Sequence, residues 1–154
     1  MNEYRRPSTY QRVWFITGSS TGLGRALADA VLARGQQAVV TAQAPERVRD
    51  IIERYPAQAL VLELDITRRE QVRSVVRRAI ERFGHVDVLL NNEGFSAALA
   101  QEVAPLGIKV ITIERGRVNG HHASDAAAAA EAIIAAVDTD AAETRNREQA
   151  PEVK

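Results

Sequence analysis

The sequence has no cysteine, a single methionine, a single tryptophan and two lysines, and aromatic side chains make up 5% of its 154 residues. Lack of cysteine removes disulfides, thiolate zinc sites and cysteine nucleophiles together. An excess of either charge is missing too, because twenty Lys plus Arg offset twenty Asp plus Glu for a formal net charge of +0. No overall field draws such a chain to phosphate polymers or anionic lipid, so neither nucleic acid nor membrane is an expected partner. No apolar run approaches the length of a membrane span, and the polar stretch Met1 to Arg12 has no signal-peptide core. A cytoplasmic protein is expected.

What remains is aliphatic and periodic. With 45% hydrophobic residues the chain suits one domain. Short apolar runs alternate with stretches of helical period, which predicts an α/β fold with a doubly wound parallel sheet of about five strands. The strands are read at Val13–Ile16, Ala38–Thr41, Leu60–Leu64, Val86–Leu90 and Ile108–Ile113. The first helix carries Leu23, Ala26, Leu27, Ala30 and Val31 on one face and ends at Gly35. Pro45 opens the second, with Val48, Ile51, Ile52 and Tyr55 inward, and Pro56 closes it. A third runs from Thr67 to Phe83, and a short fourth bears Phe95, Leu99, Val103 and Leu106. Ser124 is read as the N-cap of an alanine-rich fifth helix whose apolar side is Ala126, Ala130, Ile133, Ile134 and Val137. The domain is placed at 12–138, after a flexible tail at 1–11. Residues 139–154 have Val153 as their one large aliphatic side chain and are expected to be disordered.

Two features invite chemistry and are read as surface. Arg68, Arg69, Arg73, Arg77, Arg78 and Arg82 line the third helix, but Glu70 and Glu81 interrupt them, which suits a solvated face better than a polyanion site. His121 and His122 are adjacent, so their side chains diverge, and His85 is the only other histidine; no metal is expected.

The strongest signal is Thr17-Gly18-Ser19-Ser20-Thr21-Gly22-Leu23-Gly24, at the turn from first strand to first helix. Glycines there let a pyrophosphate approach the backbone, the helix N-terminus offers unpaired N–H groups and partial positive charge, and the three hydroxyls add donors. Within a repeating βαβ pattern this favours a nucleotide cradle over a turn that merely packs helix on strand.

From this loop onward the sequence resembles the short-chain dehydrogenase/reductase family, whose fingerprint is T-G-x-x-x-G-x-G in the same setting. Asp65-Ile66, after the third strand, stands where that family contacts adenine, and Asn91-Asn92 is similar to the start of its N-N-A-G element. Ala98 to Val110 is similar to its sixth helix and strand. The resemblance implies a Rossmann-like fold and NAD(P) as cofactor, held by Thr17 to Gly24, Gln43, Asp65, Ile66, Asn91 and Asn92. After the second strand, Ala42-Gln43 replaces the acid that would hold ribose hydroxyls, a slight lean to NADP, while Glu46 and Arg47 pull in opposite directions.

The family's proton-handling residues have no counterpart. Four residues beyond Tyr4, Tyr10 and Tyr55 stand Ser8, Trp14 and Ala59 rather than lysine, and the two lysines are Lys109, within a strand, and Lys154. The chain passes from Asn92 to Glu93-Gly94-Phe95-Ser96, which resembles the sixth helix just after the family's lysine. One internal deletion would remove serine, tyrosine and lysine together. Arg115 replaces the proline of a Pro-Gly pair at Glu114-Arg115-Gly116, and the stretch around Gly120 is shortened. The fourth strand, the Phe95 helix and the Ile108 strand still form a βαβ unit, so a right-handed crossover predicts strand order 3-2-1-4-5. A thinner cover on one face, exposed apolar surface and self-association through exposed helix faces are expected. The functional expectation is an NAD(P)-binding protein without turnover by itself. The alternatives are an active oxidoreductase using substitute residues or a partner chain, and a structural module that binds no nucleotide.

Overall fold

The computed structural model describes residues 11–20, 22–92, 96–112, 117–118, 121–122 and 125–149, with backbone alone at 112, 117–118, 121–122 and 141–149. Its elements are β1 (Val13–Ile16), α1 (Gly22–Ala33), β2 (Gln37–Ala42), α2 (Arg49–Arg54), β3 (Ala59–Glu63), α3 (Arg69–Phe83), β4 (Val88–Asn91), α4 (Ala97–Val103), β5 (Lys109–Thr112), β6 (Arg117–Val118), β7 (His121–His122) and α5 (Ala126–Gln149). Single 3-10 turns stand at Pro45–Val48 and Ala104–Leu106.

The main sheet has the order β3-β2-β1-β4-β5, and every pairing in it is parallel. This is the doubly wound arrangement and the order expected from the βαβ pattern. β1 and β4 are buried along their whole length, which is why they read as unbroken apolar runs. Side chains alternate between two apolar layers. Trp14, Ile16, Val88 and Leu90 face a layer closed by α1, Ile51 of α2 and α5. Val13, Phe15 and Leu89 face one closed by α3 and α4. The indole of Trp14, fully buried, donates to Gln36 Oε1 at 2.6 Å.

α5 departs most from expectation. Asp125 rather than Ser124 supplies the cap, its Oδ1 accepting from the Ala128 amide at 3.0 Å; Ser124 lies outside the described residues. The helix also runs to Gln149 instead of ending where apolar residues stop, so residues 139–149 are helical and not an irregular tail. No proline or glycine interrupts it before Pro151, and polar residues suffice to extend a helix already nucleated by packing. Ala130, Ile133, Ile134 and Val137 are buried against α1 and the sheet. Ion pairs from Arg12 to Asp138 (2.6 Å), from Arg34 to Glu131 and from Lys109 to Asp140 fasten it to β1, α1 and β5. α5 thus covers this face, while the face expected to be thin, the one carrying the Phe95 helix, is closed by α3 and the seven-residue α4.

Other differences are local. Ile52, expected inward, is 39% exposed because α2 has only six residues and turns Ile51 alone to the core. Leu106 is 45% exposed in the 3-10 turn that ends α4's helical path. α3 starts at Arg69, two residues after Thr67, because Asp65 and Thr67 form a turn of their own. β6 and β7, unforeseen in the sequence, pair antiparallel with each other. Phe95 and Ile113 lie outside the described residues. On α3, Arg73 reaches Glu102 of α4 at 3.0 Å, and Arg82 donates to Ala57 O at 3.0 Å while lying over the Phe83 ring. Exposed pairs of this kind add little stability.

If α5 covers this face, Ile134→Ala should lower unfolding free energy by about 2–5 kcal/mol. Urea unfolding followed through the single tryptophan, Trp14, measures the loss, and an unchanged midpoint would mean that the helix does not pack there.

Candidate functional site

The carboxyl ends of the parallel strands meet beside the first turn of α1, where the topology opens a crevice. Hydroxyls build its floor. Ile16 O, the last carbonyl of β1, accepts from Ser19 Oγ at 3.1 Å and from Thr41 Oγ1 at 3.0 Å. Ser19 N donates to Thr41 O at 3.0 Å, so the loop is stitched to β2. On the other side Thr17 N and Oγ1 both donate to Leu90 O, at 3.1 and 3.3 Å, while Thr17 Oγ1 accepts from Asn92 N at 2.9 Å. Asn92 Nδ2 reaches Gly18 O at 3.1 Å. One loop therefore fixes the ends of β2, β1 and β4 relative to one another.

Glycine is needed at two kinds of position here. Gly18 and Gly22 adopt φ of 63° and 59°, left-handed values that side chains strain to reach. Gly24 is different: a Cβ there would collide with the Gly18 carbonyl and stand 3.0 Å from Asn92 Nδ2. It is the close helix-to-loop contact that requires the third glycine.

The residues expected to hold a cofactor are thus brought to one end of the sheet, but in different roles. Gly18, Ser20 and Gly22 lie at the surface of the loop. Thr17 and Ser19 are buried with their hydroxyls turned to backbone carbonyls. Leu23 enters the core and leaves its backbone alone for a ligand. Thr21 lies outside the described residues, as do Glu93, Gly94, Glu114, Arg115 and Gly116. Gln43 is exposed just past β2. Asp65 Oδ1 accepts from Thr67 N at 3.0 Å and Thr67 Oγ1 at 2.6 Å, and Ile66 O accepts from Ser96 Oγ at 3.4 Å. The Thr67 hydroxyl, and then its amide, hold the Asp65 carboxyl below its ordinary value.

Thr41 was missed in the sequence. Its signal was available as the one hydroxyl closing the apolar run Ala38-Val39-Val40, at the level where β1 turns. Asn91 carries the observation that points outward: its Oδ1 is buried at the end of β4 and has no hydrogen-bond partner among the described residues. A buried amide oxygen left in this way costs about 1–3 kcal/mol, and a ligand donor in the crevice would recover it. The loop geometry and this acceptor fit a dinucleotide.

Arg25, beside the loop in α1, is not available to a ligand phosphate. It bonds Asp50 and Asp29, and Arg54 reaches Asp29 at 2.9 Å, which ties α2 to α1. Asp50 raises the Arg25 pKa, and Arg25 in turn holds the Asp50 carboxyl below the usual range. No group of three or more metal-ligating side chains comes together among the described residues.

The sequence profile of the short chain dehydrogenase family matches residues 12–97, which include the glycine loop, Asp65 and both asparagines. The chain belongs to the short-chain dehydrogenase family. It is 38% identical over 92 residues to oxidoreductase BOA17 of Botryotinia fuckeliana, a match covering 59% of this chain and 34% of that protein. Against the 3-oxoacyl-[acyl-carrier-protein] reductase FabG of Salmonella typhimurium it is 33% identical over 85 residues, 55% of this chain and 35% of the other. The match thus takes in about a third of the length of these family members. Among solved structures, a short-chain dehydrogenase from Streptomyces avermitilis superposes with a TM-score of 0.62 at 26% identity, covering 87% of this chain and 60% of that one. A family member from Burkholderia phymatum in complex with NAD gives 0.62 at 20% identity, covering 89% and 61%, and shares the fold. No helix among the described residues is long and apolar enough to cross a membrane.

Two measurements follow from this geometry. Gly24→Ala should destabilise the short-chain dehydrogenase fold by about 1–3 kcal/mol through overpacking, read by urea unfolding; full stability would refute the close contact. The Asp65 carboxyl should titrate below 3.8. Because its folded pKa is depressed, its stabilising effect is present above the unfolded value and is lost as the pH falls through the folded one. Thr67→Val should move the midpoint up, as read by carbon-detected NMR.

Proposed function

We propose that the chain is a nicotinamide-dinucleotide-binding module that retains the family's cradle and does not turn over substrate by itself. The supporting observation is the pairing of an intact glycine loop, with a buried unpartnered acceptor at Asn91, with a sequence in which no tyrosine is followed four residues later by lysine. Bound there, the cofactor would supply hydride chemistry. The chain's own part is to bind and orient. Backbone amides of the glycine loop and the first turn of α1 face the pyrophosphate, with the helix dipole adding partial positive charge. Asp65 and Ile66 border the adenine, and the Asn91 amide recovers its missing donor.

Absence of the proton donor alone is worth about 10² to 10⁴ in rate, so an oxidoreductase on a carbonyl or alcohol would need groups from another chain. Two hydrogen bonds lost from the nicotinamide half, at about 1 kcal/mol each, weaken affinity roughly thirtyfold. Exposed Gln43, where an acid would repel a 2′-phosphate, makes NADP the slightly favoured form. A cytoplasmic setting, which supplies both dinucleotides, suits the reading.

Titration with NADH and NADPH, monitored by energy transfer from Trp14, should saturate, with NADPH equal or tighter. Gly18→Val, which places a branched side chain at a φ of 63°, should abolish the signal while the tryptophan spectrum stays that of a folded protein. Unchanged affinity would reject the assigned cradle. Steady turnover with a panel of carbonyl compounds would overturn the non-catalytic reading and leave the binding one standing.

A further inference from the structure

We propose that Gln71 is a positioning residue that makes the cradle selective for an adenine base by holding the turn at Asp65 and Ile66 from α3. The inference rests on the dinucleotide reading above and adds to it a side chain that acts through Asp65.

The turn begins where the β2–β3 ladder stops. Leu64 N donates to Ala42 O at 3.0 Å, and the next amide, that of Asp65, stands at the outer edge of the sheet with no strand to receive it among the described residues. Gln71 receives it instead, its Oε1 accepting from Asp65 N at 2.8 Å. Gln71 is the third residue of α3, and Arg68 at the N-cap makes no side-chain cap, so Gln71 reaches back past it as the third residue of a capping box does. Val72, beside it, is fully buried, which anchors the turn of helix from which Gln71 reaches.

Other bonds complete the turn. Asp65 O accepts from Arg68 N at 3.0 Å, Asp65 Oδ1 accepts from the Thr67 amide and hydroxyl, and Ile66 O accepts from Ser96 Oγ. Asp65 Oδ2 and Ile66 N then remain without a hydrogen bond among the described residues. They are an acceptor and a donor on consecutive residues. With the N, O and Oδ1 of Asp65 all engaged, backbone and carboxylate are held together and that order is fixed. Thr67 keeps the carboxyl ionised to low pH, so it accepts and does not donate.

Adenine carries the complementary order on its pairing edge, an amino donor beside a ring-nitrogen acceptor. Hypoxanthine and guanine carry the reverse, a carbonyl beside a ring N–H, and would set acceptor against acceptor and donor against donor. Without the Gln71 oxygen the Asp65 amide turns to water, and the order is no longer enforced. The grip on the pyrophosphate is separate, because the glycine loop is held by its own bonds to β1, β2 and β4.

The test is titration of the full chain with NADH and with its reduced hypoxanthine analogue, followed by energy transfer from Trp14. Wild type should prefer NADH about tenfold, the worth of one net hydrogen bond. Gln71→Leu, a good helix former without the acceptor, should bring the two affinities together, whereas Gln71→Glu, which retains an acceptor oxygen, should keep the preference. A merely structural role would weaken both dinucleotides alike and leave their ratio unchanged. If Gln71→Leu does not fold by far-UV dichroism, Gln71→Ala decides. A ratio that survives loss of the acceptor, or a wild type that binds both analogues equally, overturns the inference and leaves the cradle standing. A wild type that binds neither overturns the dinucleotide reading, and the role of Gln71 with it.

Discussion

The carbonyl of Ile16 holds the architecture of the crevice. It is the last acceptor of β1, and two buried hydroxyls, Ser19 Oγ and Thr41 Oγ1, converge on it from the loop and from β2. With Thr17 bridging Leu90 O and the Asn92 amide, three strand ends are fixed by short side chains that lose little rotamer freedom on burial. Everything a dinucleotide would meet rests on that floor: the left-handed turns at Gly18 and Gly22, the direction of the first helix, and the depth at which Asn91 is buried.

The hydroxyls of Thr17, Ser19 and Thr41 are bonded within the first four strands, all of which the family profile covers. The Asn91 amide oxygen is buried without a donor among the described residues, a state that native folds tolerate chiefly at sites that meet a ligand or water.

The second half of the structure shows how a sheet finds cover. α5 lies over the layer containing Trp14, Ile16 and Leu90, with a short apolar stripe and three ion pairs at its margins. The opposite layer relies on α3 and the seven-residue α4, and there the last strand is left with Val110 partly uncovered.

The sequence by itself determined the α/β alternation, the strand order and the position of the glycine loop, because these follow from local periodicity, from the hand of the crossover and from backbone conformations that glycine alone adopts freely. Tertiary structure decided the rest. Asx geometry at Asp65 delayed α3 to Arg69, packing against α1 carried α5 past its last apolar residue, and neighbouring strand ends claimed the hydroxyls of Thr17, Ser19 and Thr41. Whether a serine faces a ligand or a carbonyl depends on which strand end stands opposite it. That is a property of distant segments brought together, and no local pattern encodes it.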